Sequence, residues 1–498
     1  MFHLSSVLNR ATQLYGDRLA VSDGRSVLTY RRLGERVGAL VAGLRDRVAP
    51  GDRVALVDRN SLRVLEINFA CAALGAILVP LNTRLAAREI AVIAAETEPV
   101  LLLASDAFAH LLPKNIAAIV WPDADPASAP NAYEELLQAA EPVDLNRRSP
   151  NDIAQIFYTS GTTGEPKGVC LTHANLVASA YDAIVALALD RDDVWLHAAP
   201  MFHLVDAFAI WGMTMVGGVH AIAHFRPNDF AAVVAQHRVT KTSLPPTLIS
   251  MAVQHIASGD SRVSSLKRVS YGGSPMTEAA HARATAALSV DLLQAYGITE
   301  ASGIVAHQLP GDRVNPASVG QPVTSVRMRL AGDDGGILIG DDAVGEIQVS
   351  GPRVMAGYWR RPAATDAVLA DGWYSTGDLG RRDADGHFSI VGRKKDMVIT
   401  GGENVYPIEV ENVLAAHPAV GEVAVFGVPS ERWGEEVRAA VVLRVGATAS
   451  ERDLIEFVRD RIGGYKVPKS IHFSSEPLPT TGPGKVAKHL LRQEYAAK

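Results

Sequence analysis

The sequence predicts an α/β protein with a large N-terminal domain of α/β sheet subdomains plus a β-rich subdomain, followed by a small α+β C-terminal domain. Three observations predict it. Strand-like and helix-like apolar segments alternate from about residue 50. From about residue 320 the segments shorten and turn glycines separate them, as in "SVRMRLAG", "GEIQVSG" and "GHFSIVG". After "GRKKD" helical and strand patterns mix again. A chain of 498 residues is too long for one core, so several domains are expected.

Taken in order, Leu4, Leu8, Ala11 and Leu14 recur at helical spacing, which predicts an amphipathic first helix rather than a signal peptide. Residues 52–80 read as one βαβ unit: "DRVALVD" as a strand, a helix capped by Ser61, and "AILVPLN" as the next strand. "VLLLASD" and "IAAIVWPD" continue the alternation. Residues 123–152, rich in Pro, Ala and Asp, are expected to link two lobes over the surface. "KGVCLTH" reads as a strand and "ANLVASAYDAIVAL" as a helix. "KTSLPPT", "LKRVSYGGSP" and "DLLQAYGITE" read as strands ending in small-residue loops. Open α/β sheets bind ligands at the carboxyl ends of their strands, so these ends predict one shared site. Near the C-terminus, "IEVENVLAAHP" is helical, "EVAVFGV" and "RAAVVLRV" are strands, and Ser450 with Asp453 three residues on opens a further helix.

Composition narrows the function. Apolar residues make up 48% and charged residues 20%, an ordinary globular balance without a disorder signature. A net charge of −6 leaves no whole-chain basic footprint for nucleic acid. Cys71 and Cys170 fit no zinc or redox spacing and suit a reducing cytosol, so a cytoplasmic location is expected. The most apolar stretches, "INFACAALGAILVPL" and "HLVDAFAIWGMTMVGGVHAIA", read as core elements rather than membrane spans.

The densest chemistry lies in "YTSGTTGEPKG", residues 158–168. Gly161, Gly164 and Gly168 let backbone N–H groups turn toward an anion. Thr159, Ser160, Thr162 and Thr163 add hydroxyls, and Lys167 adds charge. The stretch departs from the Walker pattern because Pro166 precedes the lysine and the residues after it are β-like, so it reads as a phosphate-holding turn between strands.

This loop resembles the phosphate-loop signature of the adenylate-forming enzymes: acyl-CoA synthetases, adenylation domains of peptide synthetases, and luciferases. "PMFH" (200–203), "YGGSP" (271–275), "YGITE" (296–300), "YSTGDL" (374–379), "GRKKDMVITGGENVYPIEVE" (392–411) and "LPTTGPGKVAK" (478–488) resemble the family's later motifs in the same order. The resemblance covers nearly the whole chain and is most like an acyl-CoA ligase. It implies two half-reactions: a carboxylate attacks the α-phosphate of MgATP to give an acyl-adenylate and pyrophosphate, then a thiol attacks the acyl carbon and releases AMP.

The same resemblance implies the roles. Ser160, Gly161, Thr162, Thr163, Gly164 and Lys167, with Thr159, hold the β- and γ-phosphates. Glu300 holds Mg²⁺, and Thr299 contacts the α-phosphate. Gly272, Gly273, Tyr296 and Gly297 flank the nucleotide, Tyr296 offering a flat face to adenine. Asp378 accepts from the ribose hydroxyls, assisted by Arg393. Lys485, directly after Gly484 in "TGPGK" where the family usually shows "TPTGK", is the catalytic lysine of adenylation, with Lys488 as its rival. The implied domains are 1–394 for ATP and acid, and 395–498 as a mobile domain turning about a hinge near Lys395. Gly401 and Gly402 then face the pantetheine tunnel of coenzyme A.

His203 matches a histidine near the entrance between acyl group and thiol. Val205, Ala207, Trp211, Ala301 and Gly303, with Gly297, are the candidate acyl pocket, and Asp206 stands nearby. These are mainly small or apolar, with no evident arginine to pair a second carboxylate, which favours a fatty or aromatic monocarboxylic acid. No carrier module follows Lys485, which favours free coenzyme A; a stand-alone enzyme loading a carrier protein, and a non-catalytic nucleotide- or acyl-binding paralogue, are the alternatives. Oligomeric state is not legible.

Overall fold

The computed structural model describes residues 3–24, 26–122, 132–138, 149–159, 166–223, 226–273, 276, 278–309, 315, 317–340, 343–401, 403–480 and 486–495. Among these, four sheets organise the chain. The first has nine strands. Its centre is parallel and runs Asp291–Ile298, Arg268–Gly272, Lys241–Leu244, Val194–His197, Val219–Ile222 and Leu19–Ser22, with antiparallel strands Gly303–His307 and Val27–Thr29 flanking it. The second has seven strands, Gly357–Tyr358, Lys167–Thr172, Ile153–Thr159, Ile77–Pro80, Arg53–Val57, Leu101–Ser105 and Ala118–Trp121. The third is the expected β-rich unit, six antiparallel strands between Arg327 and Arg393. The fourth, of five strands from Val398 to Phe473, carries helices Pro407–Ala415, Glu451–Arg459 and Lys488–Tyr495.

Local chemistry sets the element ends. Ser61 Oγ accepts from Val64 N at the start of helix Leu62–Leu74, and left-handed Gly75 (φ 72°) ends it. Ser450 and Asp453 form a reciprocal capping box. The first helix, Leu4–Tyr15, buries Leu4, Leu8 and Ala11, but Leu14 is 59% exposed, because the apolar stripe drifts off the buried face at the last turn. The segment expected as a surface link departs further. Residues 132–138 form a helix with Tyr133 fully buried, its hydroxyl donating to Glu66 at 2.8 Å, while Arg36 bridges Glu66 and Glu134. The flanks of that helix, 123–131 and 139–148, lie outside the described residues.

Among the described residues no helix is long and apolar enough to cross a membrane. Cys71 and Cys170 are free and buried, and burial pushes both thiols up to about 12, which leaves them unreactive.

Burial also holds several histidines neutral. It pushes His173 down to about 3, and His203 and His307 to about 4, while His220 falls well below its usual value. A group whose native pKa lies below its unfolded value contributes stability that is complete above the unfolded pKa and is lost as pH falls toward the native one. Denaturant unfolding followed from pH 7 to pH 4.5 should therefore show stability declining below about pH 6.5. Each fully buried histidine contributes up to about 1.4 kcal/mol per pH unit. Stability flat across that range would contradict the neutral buried imidazoles.

Candidate active site

The parallel strands Arg268–Gly272 and Asp291–Ile298 pair in register, Gly272 opposite Ala295, so their carboxyl ends open on one cleft. At Gly272 a Cβ would lie 2.5 Å from the Ala295 carbonyl oxygen, so only glycine fits that close approach; Gly273 follows at φ 83°. Beyond the second strand, Thr299–Ala301 forms a 3₁₀ turn. Gly297 is exposed, whereas Ala301 and Gly303 are buried.

Two clusters face this cleft. In the first, Tyr296 donates its hydroxyl to Asp378 Oδ2 at 2.6 Å, and Arg393 Nε meets Asp378 Oδ1 at 2.9 Å. Asp378 and Arg393 oppose each other across two strands of the six-stranded sheet, while Tyr296 belongs to the nine-stranded one. Burial, then the adjacent Asp378 charge, raises the Tyr296 phenol well above its usual value, so it stays a donor. The ring expected as a flat face for adenine thus also carries a hydroxyl committed to Asp378.

In the second cluster, Glu300 Oε1 accepts from Tyr358 at 3.0 Å, and Lys167 Nζ lies 5.1 Å from the Tyr358 ring centroid. Desolvation raises the Glu300 carboxyl, opposed by hydrogen bonds that include those of Tyr358 and Tyr374 and by the Arg393 charge. Strands Ile153–Thr159 and Lys167–Thr172 are antiparallel with Thr159 opposite Lys167, as expected for a turn between strands. Ser160, Gly161, Thr162, Thr163 and Gly164, between those strands in sequence, lie outside the described residues, as do Gly402 and Lys485. Lys488, the rival lysine, pairs with Glu411 at 2.7 Å.

A carboxylate partly open to the cleft is a hard oxygen donor, the kind Mg²⁺ takes. Among the described residues no group of three or more His, Cys, Asp or Glu could hold a metal. Glu300 would be the one carboxylate to hold such an ion, which would supply positive charge beside phosphate.

At the other edge, His203 precedes helix Leu204–Val216 and makes no side-chain cap. Its Nε2 is buried with no partner among the described residues. Burial and the nearby Arg84 charge hold the imidazole at about 4, so Arg84 is a basic residue near this position that the motifs did not reveal. Val205 is half-buried and Ala207 and Trp211 are buried; Ala207 and Trp211 belong to the apolar cluster that includes Leu4 and Leu8 of the first helix. Asp206 has both oxygens occupied, accepting from Trp195 Nε1 at 3.0 Å and meeting His197 Nδ1 at 2.5 Å, and is no free acceptor for an amine.

Toward the C-terminal sheet, Lys395 lies in the 3₁₀ turn Lys394–Asp396, with its carbonyl 3.4 Å from Arg492 Nη1. Gly401 takes φ 59° and donates its N–H to the Trp433 carbonyl at 2.8 Å.

The motifs missed the segment that joins the clusters. Arg353, 1% exposed, meets Asp182 at 3.0 Å, Ser179 Oγ at 3.1 Å and the Ser302 carbonyl at 3.1 Å. Asn175 donates to the Pro352 and Val354 carbonyls, Met355 N donates to the Glu300 carbonyl, and Trp359 N donates to that of Gly168. The glycine and aromatic pattern of "GPRVMAGYW" was the available signal.

The chain matches the AMP-binding enzyme family over residues 8–359 and that family's C-terminal domain over residues 409–485. It belongs to this family of adenylate-forming enzymes. It is 39% identical over 483 residues to a feruloyl-CoA synthase of an Amycolatopsis species, covering 96% of each chain. It is 34% identical to the fatty acid–[acyl-carrier-protein] ligase ScoC of Streptomyces coeruleorubidus, covering 95% of this chain and 92% of that one. ATP-bound MatB from Rhodopseudomonas palustris superposes with a TM-score of 0.90 at 30% identity, covering 99% of both chains.

Replacing Arg353 with alanine leaves Asp182 charged and buried. Denaturant unfolding of R353A should show a loss of about 3–5 kcal/mol. R353K should recover only part of it, because one ammonium cannot reach all three partners. A loss below about 1 kcal/mol would contradict the role given to this pair.

Proposed function

We propose that this chain is an AMP-forming acid–thiol ligase that activates a fatty or aromatic monocarboxylate with MgATP and transfers the acyl group to coenzyme A. The observation carrying the proposal is the closeness of the Tyr296–Asp378–Arg393 and Glu300–Tyr358–Lys167 clusters beside the carboxyl end of strand Asp291–Ile298, where the Arg393 charge of one acts on Glu300 of the other. A feruloyl-CoA synthase at 39% identity supports the aromatic half of the class, and the apolar character of Val205, Ala207 and Ala301 supports both halves.

In this reading Asp378 keeps lone pairs for the ribose hydroxyls while Tyr296 and Arg393 fix its plane. Gly272 and Gly273 let the nucleotide approach the backbone. Lys167, with Thr159 and the turn 160–164, draws the β- and γ-phosphates, and Thr299 contacts the α-phosphate. Glu300 holds Mg²⁺, which neutralises phosphate charge when bound. Lys485 arrives from the C-terminal domain, whose boundary we set at 394/395, and stabilises charge as the carboxylate attacks the α-phosphate. That domain then turns about Lys395 and presents Gly401 and Gly402 to the pantetheine arm. His203, neutral and with a buried nitrogen that has no partner among the described residues, is placed to hydrogen-bond the carboxylate or the incoming thiol.

A second reading, loading of a carrier-protein thiol, is favoured by the ScoC relative and differs only in who presents the thiol. ATP–pyrophosphate exchange across aromatic and fatty acids, with and without coenzyme A, separates the readings. Exchange with acyl-CoA formation is the expected result, exchange alone points to a carrier protein, and no exchange with any acid refutes the enzyme. Lys485→Ala should lower adenylation by about 10²-fold or more yet largely spare thiolysis of supplied acyl-adenylate; equal loss in both halves contradicts domain alternation.

A further inference from the structure

Beneath the helix that begins at His203 lies a closed polar chain. Asp206, in that helix's first turn, accepts from Trp195 Nε1 and meets His197 Nδ1 at 2.5 Å. His197 Nε2 meets His220 Nδ1 at 2.9 Å, and His220 Nε2 meets Thr214 Oγ1 at 3.0 Å. Thr214 lies near the end of the same helix and donates to the Ile210 carbonyl at 2.7 Å. Asp206, His197, His220 and Thr214 are all 0% exposed, and Trp195 is 1% exposed. The chain therefore leaves the helix at its start, crosses strands Val194–His197 and Val219–Ile222, and re-enters the helix at its end.

The hydrogen bonds fix where the protons sit. Thr214 uses its proton on Ile210, so it accepts from His220 Nε2–H. His220, neutral because burial drives its pKa far down, then offers a bare Nδ1 to His197 Nε2–H. The contact between His197 Nδ1 and Asp206 holds a further proton. The opposite polarity would bury an unneutralised carboxylate and leave two oxygens, those of Thr214 and Ile210, facing each other without a hydrogen, which is costly in a water-free interior. The chain has one satisfied arrangement, and it locks the helix in both position and rotation.

A second clamp acts on the approach to His203. Asn60 Nδ2 donates to the His197 and Ala199 carbonyls, both at 2.7 Å, and its Oδ1 accepts from Met201 N at 2.8 Å. The Asp206 N–H itself bonds to the His203 carbonyl at 3.1 Å.

We propose that Asp206, acting through His197 and Trp195, is a positioning residue for acid recognition: it holds the first helical turn so that His203 and Val205 meet the carboxylic acid substrate. This rests on the reading of His203 as lying at the acyl site. Among the described residues no hydrogen bond of this chain reaches Asp378 or Glu300, although Trp195 packs in the same apolar cluster as Tyr296, so the larger effect falls on the acid rather than on ATP.

The test is steady-state kinetics of pyrophosphate release, normalised to active sites by single-turnover acyl-adenylate formation, with thermal unfolding alongside. D206A should raise the KM for the acid about tenfold or more and leave the KM for ATP within about twofold, since a shift of about 1 Å at a positioned group costs up to ~10². D206N should restore the acid KM to within about threefold, because its amide still accepts from Trp195 and donates to a neutral His197. A merely structural role would lower Tm and the active fraction in both variants and leave the acid KM per site unchanged, which overturns the proposal. Should D206A not fold, W195F decides: a rise of about threefold or more in acid KM supports the proposal, and no change overturns it. Wild-type protein that forms no acyl-adenylate with any acid overturns the function and this inference together, whereas unchanged constants in a working enzyme overturn the inference alone.

Discussion

The site depends on one buried ion pair. Arg353 is surrounded by protein, and a guanidinium so placed is tolerable only when its charge is met and most of its N–H groups are paired. Asp182 supplies the charge by pairing with Nη1, Ser179 Oγ and the Ser302 carbonyl accept from Nη2, and Nε has no partner among the described residues. Burial still lowers the guanidinium to about 10, but it stays protonated at neutral pH. With Arg353 fixed, the segment around it has few choices. Asn175 binds its carbonyls, Met355 binds the back of Glu300, and Gly357–Tyr358 adds a strand beside Lys167–Thr172. Glu300, Tyr358 and Lys167 are thus placed relative to one another by packing well outside the cleft.

The second cluster follows the same logic with different parts. Asp378 and Arg393 are set by the register of two antiparallel strands, and Tyr296 by the end of a parallel one. Their meeting joins two sheets, and it is here that we propose the nucleotide sugar lies. A carboxylate with its plane fixed by two donors is pre-organised, so ligand binding does not have to order it. The buried chain under His203 gives that edge, where we propose the acid binds, a comparable rigidity from other residues.

Much of the fold was legible because its signals are local. Ser61 and Ser450 cap their helices through bonds to residues three positions on, and the strand patterns of the β-rich unit carry their own turns. The motifs singled out Asp378, Glu300 and Lys167, which the fold places in the two clusters. The rest depends on distance along the chain. Arg353 meets Asp182 171 residues away, and nothing around either residue announces the other. Asp206 looked like a lone carboxylate near a pocket; its partners Trp195 and His197 lie on the preceding strand, and only the three-dimensional packing shows that both are hydrogen-bonded to it. The helix at 132–138 was hidden for a related reason: its proline-rich flanks dominate the local composition, while Tyr133 is buried by a contact to Glu66, 67 residues away.

The central claim is that this cleft directs a carboxylate oxygen to the α-phosphate of ATP. The direct test is isotopic. The protein is incubated with ATP, Mg²⁺, coenzyme A and a cinnamic-type acid labelled with ¹⁸O in its carboxyl group, and the products are weighed by mass spectrometry. The account predicts one ¹⁸O in the phosphate of AMP and none in pyrophosphate. Label in inorganic phosphate or pyrophosphate, with ADP rather than AMP as the nucleotide product, would contradict it.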